Sequence, residues 1–136
     1  MTESTFSDAA PSVPKTPEVA VVMQYLELAA VQGKIDEAYM LVADDFVQHN
    51  PLLPGDKAGS QAGLKQMVAG VKPTYEVKRV ITDGTFVVIH AHAVFDGQGP
   101  GLALVDIFRV KNGLIAEHWD VWQAIPETLA NANTMF

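Results

Sequence analysis

The chain has 136 residues, 49% hydrophobic and 18% charged, which suits one domain with a real core and excludes a disordered chain. Nine basic against sixteen acidic side chains give a net charge of −7 without a Lys/Arg run, so nucleic acid and anionic membrane are poor partners. The lack of cysteine excludes disulfides, thiolate metal sites and a cysteine nucleophile.

The first residues have neither the basic nor the apolar region of a signal peptide. No apolar run approaches the ~20 residues that span a bilayer, so a soluble cytoplasmic protein is expected. Residues 1–17, with Pro11, Pro14 and Pro17, read as a flexible tail. Thr16 suits a helix cap and Pro17 the first helical position. Val19, Val22, Met23, Leu26 and Ala30 then recur at helical spacing, and Gly33 suits the end. A second helix is expected from Ile35 to about Val42, with Ile35, Ala38, Tyr39 and Val42 as its apolar stripe. Asp44 to Pro51 breaks the helical pattern, and Leu52 to Gly59 reads as a loop. Ser60 can cap a third helix over residues 61–69, although Gly63 weakens it.

From Thr74 the period changes to two. Residues 75–82 form a strand, Asp83 and Gly84 a turn, and residues 85–95 a long strand. A loop over residues 96–100 leads into two strands, residues 101–110 and 114–123, joined through Asn112 and Gly113. Pro126 begins a C-terminal tail. Helices followed by an antiparallel meander describe one α+β domain over residues 18–125.

The last hairpin carries groups that strands avoid: Asp106, His118 and Asp120. Their presence on otherwise apolar strands points to a cavity. If Asn112 and Gly113 alone form the loop, Asp106 lies opposite Trp119 and faces away from His118. If Lys111 joins them, with Gly113 in a left-handed bulge position, Val110 pairs with Leu114 and Asp106 lies opposite His118. Asp120 then shares that face, and Arg109 and Glu117 become diagonal neighbours on the other. The three-residue loop is the expected one.

These residues, with Phe46 to Pro51, Val88 to His92 and Gly113 to Gln123, resemble the SnoaL-like polyketide cyclase branch of the nuclear-transport-factor-2-like superfamily. The resemblance covers roughly residues 18 to 125. It implies a cone-shaped α+β barrel, with N-terminal helices packed in a strongly curved antiparallel sheet and a pocket at one end. It also implies an acid/base enzyme without cofactor, in which a late-strand carboxylate works in an intramolecular aldol closure. Asp120 best matches that carboxylate. Ketosteroid isomerases, dehydratases, epoxide hydrolases and non-catalytic modules share the fold, so the fold alone does not decide the activity.

His118 and Asp120 lie on one side of a strand, where a desolvated carboxylate becomes a competent base and an imidazole can share its proton. A buried pair that merely holds the sheet is the alternative. His90 and His92 share a face of the preceding strand, and His90 is the one expected in the cavity. His49 and Asn50 sit where an early segment should cross the pocket, and an Asn amide can donate to an oxyanion. Trp122 is expected to line the pocket. Zinc would need three or four converging ligands, and no tight spacing of that kind occurs, so no metal is expected. The expected function is aldol cyclisation, isomerisation or dehydration of a small apolar carbonyl or hydroxylated substrate. Epoxide or ester hydrolysis by an activated water, and non-catalytic ligand binding, are the alternatives. The outer sheet face, with Val105, Ile107, Trp119 and Val121, is too apolar to stay wet, so a homodimer is expected.

Overall fold

In the computed structural model, residues 12–95, 97 and 99–136 are described. Most of the expected N-terminal tail lies outside them. Helix α1 spans Pro17–Leu26, and the Thr16 side chain caps it by accepting from the Val19 amide at 3.1 Å. Its turns bury Val19, Val22 and Leu26. The chain then widens into a π turn over Glu27–Val31, which buries Ala29. Helix α2 is short, Ile35–Tyr39, and buries Ile35, Ala38 and Tyr39.

The second helix therefore stops before the expected Val42. Val42–Gln48 is instead a strand, β1, with Val42, Phe46 and Gln48 inward and Asp44, Asp45 and Val47 outward. It pairs in parallel with the last strand, Val42 with Ile115 and Gln48 with His118. Helix α3 spans Lys57–Val68 and starts earlier than expected. Asp56, not Ser60, caps it by accepting from the Gly59 amide at 2.9 Å. Ser60 is fully buried and its hydroxyl serves the interior instead.

Strands β2 (Thr74–Asp83), β3 (Phe86–Val94), β4 (Leu102–Lys111) and β5 (Leu114–Ala124) complete a five-stranded sheet in the order β1-β5-β4-β3-β2. The α+β architecture is as expected, with one correction: β1 adds a parallel edge to the antiparallel meander. Alternation sorts the sheet's two faces. Val87, Ile89, Ala91, Leu104 and Phe108 point inward and form one core with the helical residues. This buried apolar layer is the main stabilising term, at about 25 cal/mol per Å² of apolar surface removed from water.

The last hairpin departs from its expected turn. Lys111 pairs with Leu114, so Asn112 and Gly113 alone form the loop, at φ 55° and 78°. Both left-handed values suit a primed two-residue turn, which follows the twist of the strands. Val110 pairs with Ile115 but Arg109 pairs with Glu117, so Ala116 is an extra residue in a β-bulge. The bulge shifts parity by one. Asp106 therefore lies opposite Asp120, and Phe108 opposite His118. Asp106 and His118 share the inward face, as diagonal neighbours rather than the expected direct pair. Arg109 and Glu117 are directly opposed rather than diagonal, and their ion pair closes at 3.0 Å.

After β5 the chain has no further helix or strand among the described residues. Its end returns to the outer sheet face, where the Phe136 ring lies 5.5 Å from that of His90 and 4.8 Å from that of His92.

Candidate active site

A cavity opens between the concave sheet face and the helices. Leu26, Ala29 and Ala30 wall it from α1 and the π turn, and Leu64, Met67 and Val68 from α3. Its walls are apolar, apart from Gln48, Asn50, Thr74, Asp106, His118, Asp120 and the two phenols Tyr25 and Tyr75. Gln48 and Asn50 reach it because strand alternation aims Phe46, Gln48 and, just past the strand, Asn50 at the same side.

Asp120 is half-buried among donors. The Asn50 amide reaches its two oxygens at 3.0 and 2.8 Å, and the Trp122 indole N–H donates to Oδ2 at 2.9 Å. Asn50 is itself aimed, because its Oδ1 accepts from the Leu52 backbone N–H at 2.8 Å. Each of these partners suits an ionised carboxylate, which only accepts. Burial nevertheless raises the Asp120 pKa, outweighing the opposing pull of His118 and of the Asn50 hydrogen bond.

Asp106 is buried and differently served. The Tyr75 hydroxyl donates to its Oδ2 at 2.6 Å, and His118 Nε2 lies 2.8 Å from its Oδ1. Burial first, and then the Asp106 charge, push the Tyr75 phenol well above its ordinary value, so it stays a donor. On its other side His118 Nδ1 meets Gln48 Oε1 at 2.7 Å. Gln48 also accepts from the Asn50 backbone N–H at 3.0 Å and donates to Ser60 Oγ at 3.1 Å. Ser60 in turn lies 2.6 Å from the Tyr39 hydroxyl. Five side chains from five elements thus converge through His118.

Asp106, His118, Asp120, Asn50 and Trp122 are brought together as a set. Two expected residues are not. His90 points to the outer face, where its Nδ1 accepts from Arg79 Nη1 at 2.7 Å. The reason is parity: Val87, Ile89, Ala91 and Ala93 take the inward positions of β3. Burial there, with the charges of Arg79 and Lys78, lowers the His90 pKa. His49 is likewise outside the cavity, since Gln48 and Asn50 on either side of it face inward. Its ring stacks on Trp119 at 4.9 Å and its Nε2 donates to Glu117 at 2.6 Å.

Gln48, Ser60 and Tyr25 carry contacts of the site that sequence reasoning missed. The one available signal was the alternation of Phe46, Gln48 and Asn50, invisible until that stretch is recognised as a strand. Ligand atoms of Asp106, His118 and Asp120 lie within 4.8 Å of one another, a spacing that suits a small cation as well as proton transfer. The Nε2 and Oδ1 atoms that would face such an ion are hydrogen-bonded to each other.

Residues 22–118 match the family model of the SnoaL-like domain, and the chain belongs to this family. Solved structures share the fold. An NTF2-like protein of unknown function from Cytophaga hutchinsonii is 13% identical, with 82% of this chain and 95% of that one covered and a TM-score of 0.67. An LEH-like epoxide hydrolase from Mycobacterium tuberculosis is 20% identical over 81% of this chain and 86% of that one, with a TM-score of 0.66. A candidate polyketide cyclase from Bacillus cereus is 19% identical over 83% of each chain, with a TM-score of 0.68. No curated protein matches this chain. Among the described residues no helix is long and apolar enough to cross a membrane.

Proposed function

We propose that this SnoaL-like chain is a cofactor-independent acid/base enzyme acting on a small apolar carbonyl or hydroxylated compound. One observation carries the reading: two carboxylates opposed across β4 and β5 have opposite kinds of neighbour. Asp120 is met by N–H donors and is held ready to accept a proton. Asp106 is coupled to an imidazole and a phenol, which supply protons. Asp120 is the general base, the Asp106–His118 pair the acid, and Asn50 and Trp122 orient the base. Aldol cyclisation, isomerisation and dehydration each need this arrangement, because a proton leaves carbon while an oxygen gains one. Apolar walls exclude water and strengthen both interactions.

Hydrolysis of an epoxide is the second reading. It is favoured by the Asn50–Asp120 contact, which leaves a base beside an amide that can hold a water, and by the fold shared with the epoxide hydrolase. A non-catalytic ligand carrier has no use for buried ionisable groups in an apolar pocket, and their burial is costly. The working unit is residues 18–125, acting in the cytoplasm as a homodimer.

The test is a pH–rate profile of wild type and Asp120→Asn on small β-dicarbonyl, enone and epoxide compounds. Loss of general-base help lowers the rate about a hundred- to ten-thousandfold. Full activity in Asp120→Asn would falsify the assignment.

A further inference from the structure

The orientation of the Gln48 amide can be read from its neighbours. A backbone N–H only donates, so the Gln48 atom 3.0 Å from the Asn50 amide is the oxygen. That same oxygen lies 2.7 Å from His118 Nδ1. Two acceptors cannot share a hydrogen bond, so Nδ1 carries a proton. The other half of the Gln48 amide is held by Ser60 Oγ at 3.1 Å, itself anchored on Tyr39, so the amide has no free turn. Gln48 and Ser60 are both buried, out of reach of competing water.

We propose that Gln48 is a positioning residue that fixes His118 as its Nδ1–H form, so that the hydrogen between His118 Nε2 and Asp106 Oδ1 is the one delivered to substrate oxygen. The inference rests on the acid/base reading of the site. Its consequence is directional. When that hydrogen leaves, the Nε2 lone pair faces the Asp106 oxygen with nothing between them. The usual escape is to move the Nδ1 proton to Nε2. Gln48 blocks it, because a bare Nδ1 would then face the Gln48 oxygen. The pair is therefore driven to recover its proton. Protons balance over the step: Asp120 gains the one leaving the substrate carbon, or leaving water, as the pair loses one to the substrate oxygen. The titratable groups facing this unit are Asp106 from β4, Asp120 from β5, Tyr75 from β2 through Asp106, Tyr25 from α1, and Tyr39 from α2 through Ser60. The contact on Nδ1 is made by Gln48.

The test is nitrogen-15 NMR of the imidazole rings in the intact protein, with the His118 signals assigned by their loss in His118→Gln. In wild type Nδ1 stays protonated at every pH where the protein is folded. In Gln48→Leu the neutral ring carries its proton on Nε2. The rate of this variant falls about ten- to a hundredfold, the range seen when a hydrogen-bond partner that orients a metal-bound histidine is removed. Gln48→Glu keeps an acceptor at the same place and restores the Nδ1–H form. A wild-type neutral ring with bare Nδ1 overturns the proposal by itself, even if Gln48→Leu does not fold. So does a Gln48→Leu ring that keeps the Nδ1 proton. Neither readout depends on turnover, so failure of the Asp120 assignment would be seen separately, in the pH–rate profile of Asp120→Asn.

Discussion

Asp120 and Asp106 face each other across two strands, yet only Asp120 is surrounded by fixed N–H groups. Burial lifts the Asp120 pKa above its ordinary 3.8, and the sign of the consequence is definite. Between the unfolded and the folded value the native state holds more protons, so stability falls as pH rises through that window. Asp120→Asn removes this penalty. The variant should match or exceed wild type in urea unfolding at neutral pH, and lose any advantage below pH 3.8, the unfolded value. Activity runs the other way, because the base works only when ionised. The acid limb of the wild-type pH–rate profile should lie above pH 3.8, the ordinary aspartate value. His90 makes a contrasting case, since its ring lies outside the cavity against Arg79 and Phe136. His90→Ala should leave kcat/KM within about twofold of wild type, because it removes no contact to the reacting groups.

At the scale of elements, the β4–β5 hairpin decides whether the site exists. Its two-residue turn needs left-handed backbone at Asn112 and Gly113, and the bulge at Ala116 then turns His118 and Asp120 inward. Gly113 has φ 78° with open space around it, so an added methyl meets only conformational strain. Gly113→Ala should destabilise by about 1 kcal/mol, the ordinary cost of a left-handed side chain. Gly101, at the entry to β4, has φ 83°, and a Cβ there would also run into the Ala93 backbone carbonyl. Gly101→Ala should therefore shift the urea midpoint further than Gly113→Ala. It should also disturb the cavity end near Phe95. Equal midpoints would mean that the backbone can move aside at Gly101.

For the whole molecule, the outer sheet face is the unresolved surface in energetic terms. Val121 is 67% exposed, Ile81 57% and Phe86 42%, all on that face, with Val105, Ile107 and Trp119 between them. Phe136 and Lys78 cover the part over His90 and His92, at 5.2 Å from ammonium to ring. The remaining apolar area is what a second copy would bury. Light scattering at micromolar concentration should give a homodimer, and Val121→Lys should shift it towards monomer. A wild-type monomer would refute this.

Features decided by near neighbours in the chain were legible. Thr16 and Pro17 announce a helix start, Asn112 and Gly113 a tight turn, and the period change near Thr74 the passage from helix to sheet, because each depends on local backbone preference. The clustering of Asp106, His118 and Asp120 on one face was legible too, though by a different route. A three-residue loop takes one residue from the β4 side, and a two-residue loop followed by a bulge adds one to the β5 side, so both give the same face and differ by two in register. What stayed hidden depends on partners distant in sequence. Nothing local distinguishes Val42–Gln48 as a strand, because its backbone hydrogen bonds come from β5 about 70 residues later. Gln48 could not be found before that strand was. The inward parity of Ile89 over His90 is set by which face the helices cover. Local propensity determined the helices and the meander; only tertiary pairing made β1 a strand, brought Gln48 and Asn50 to the cavity and set the register of Asp106 against Asp120.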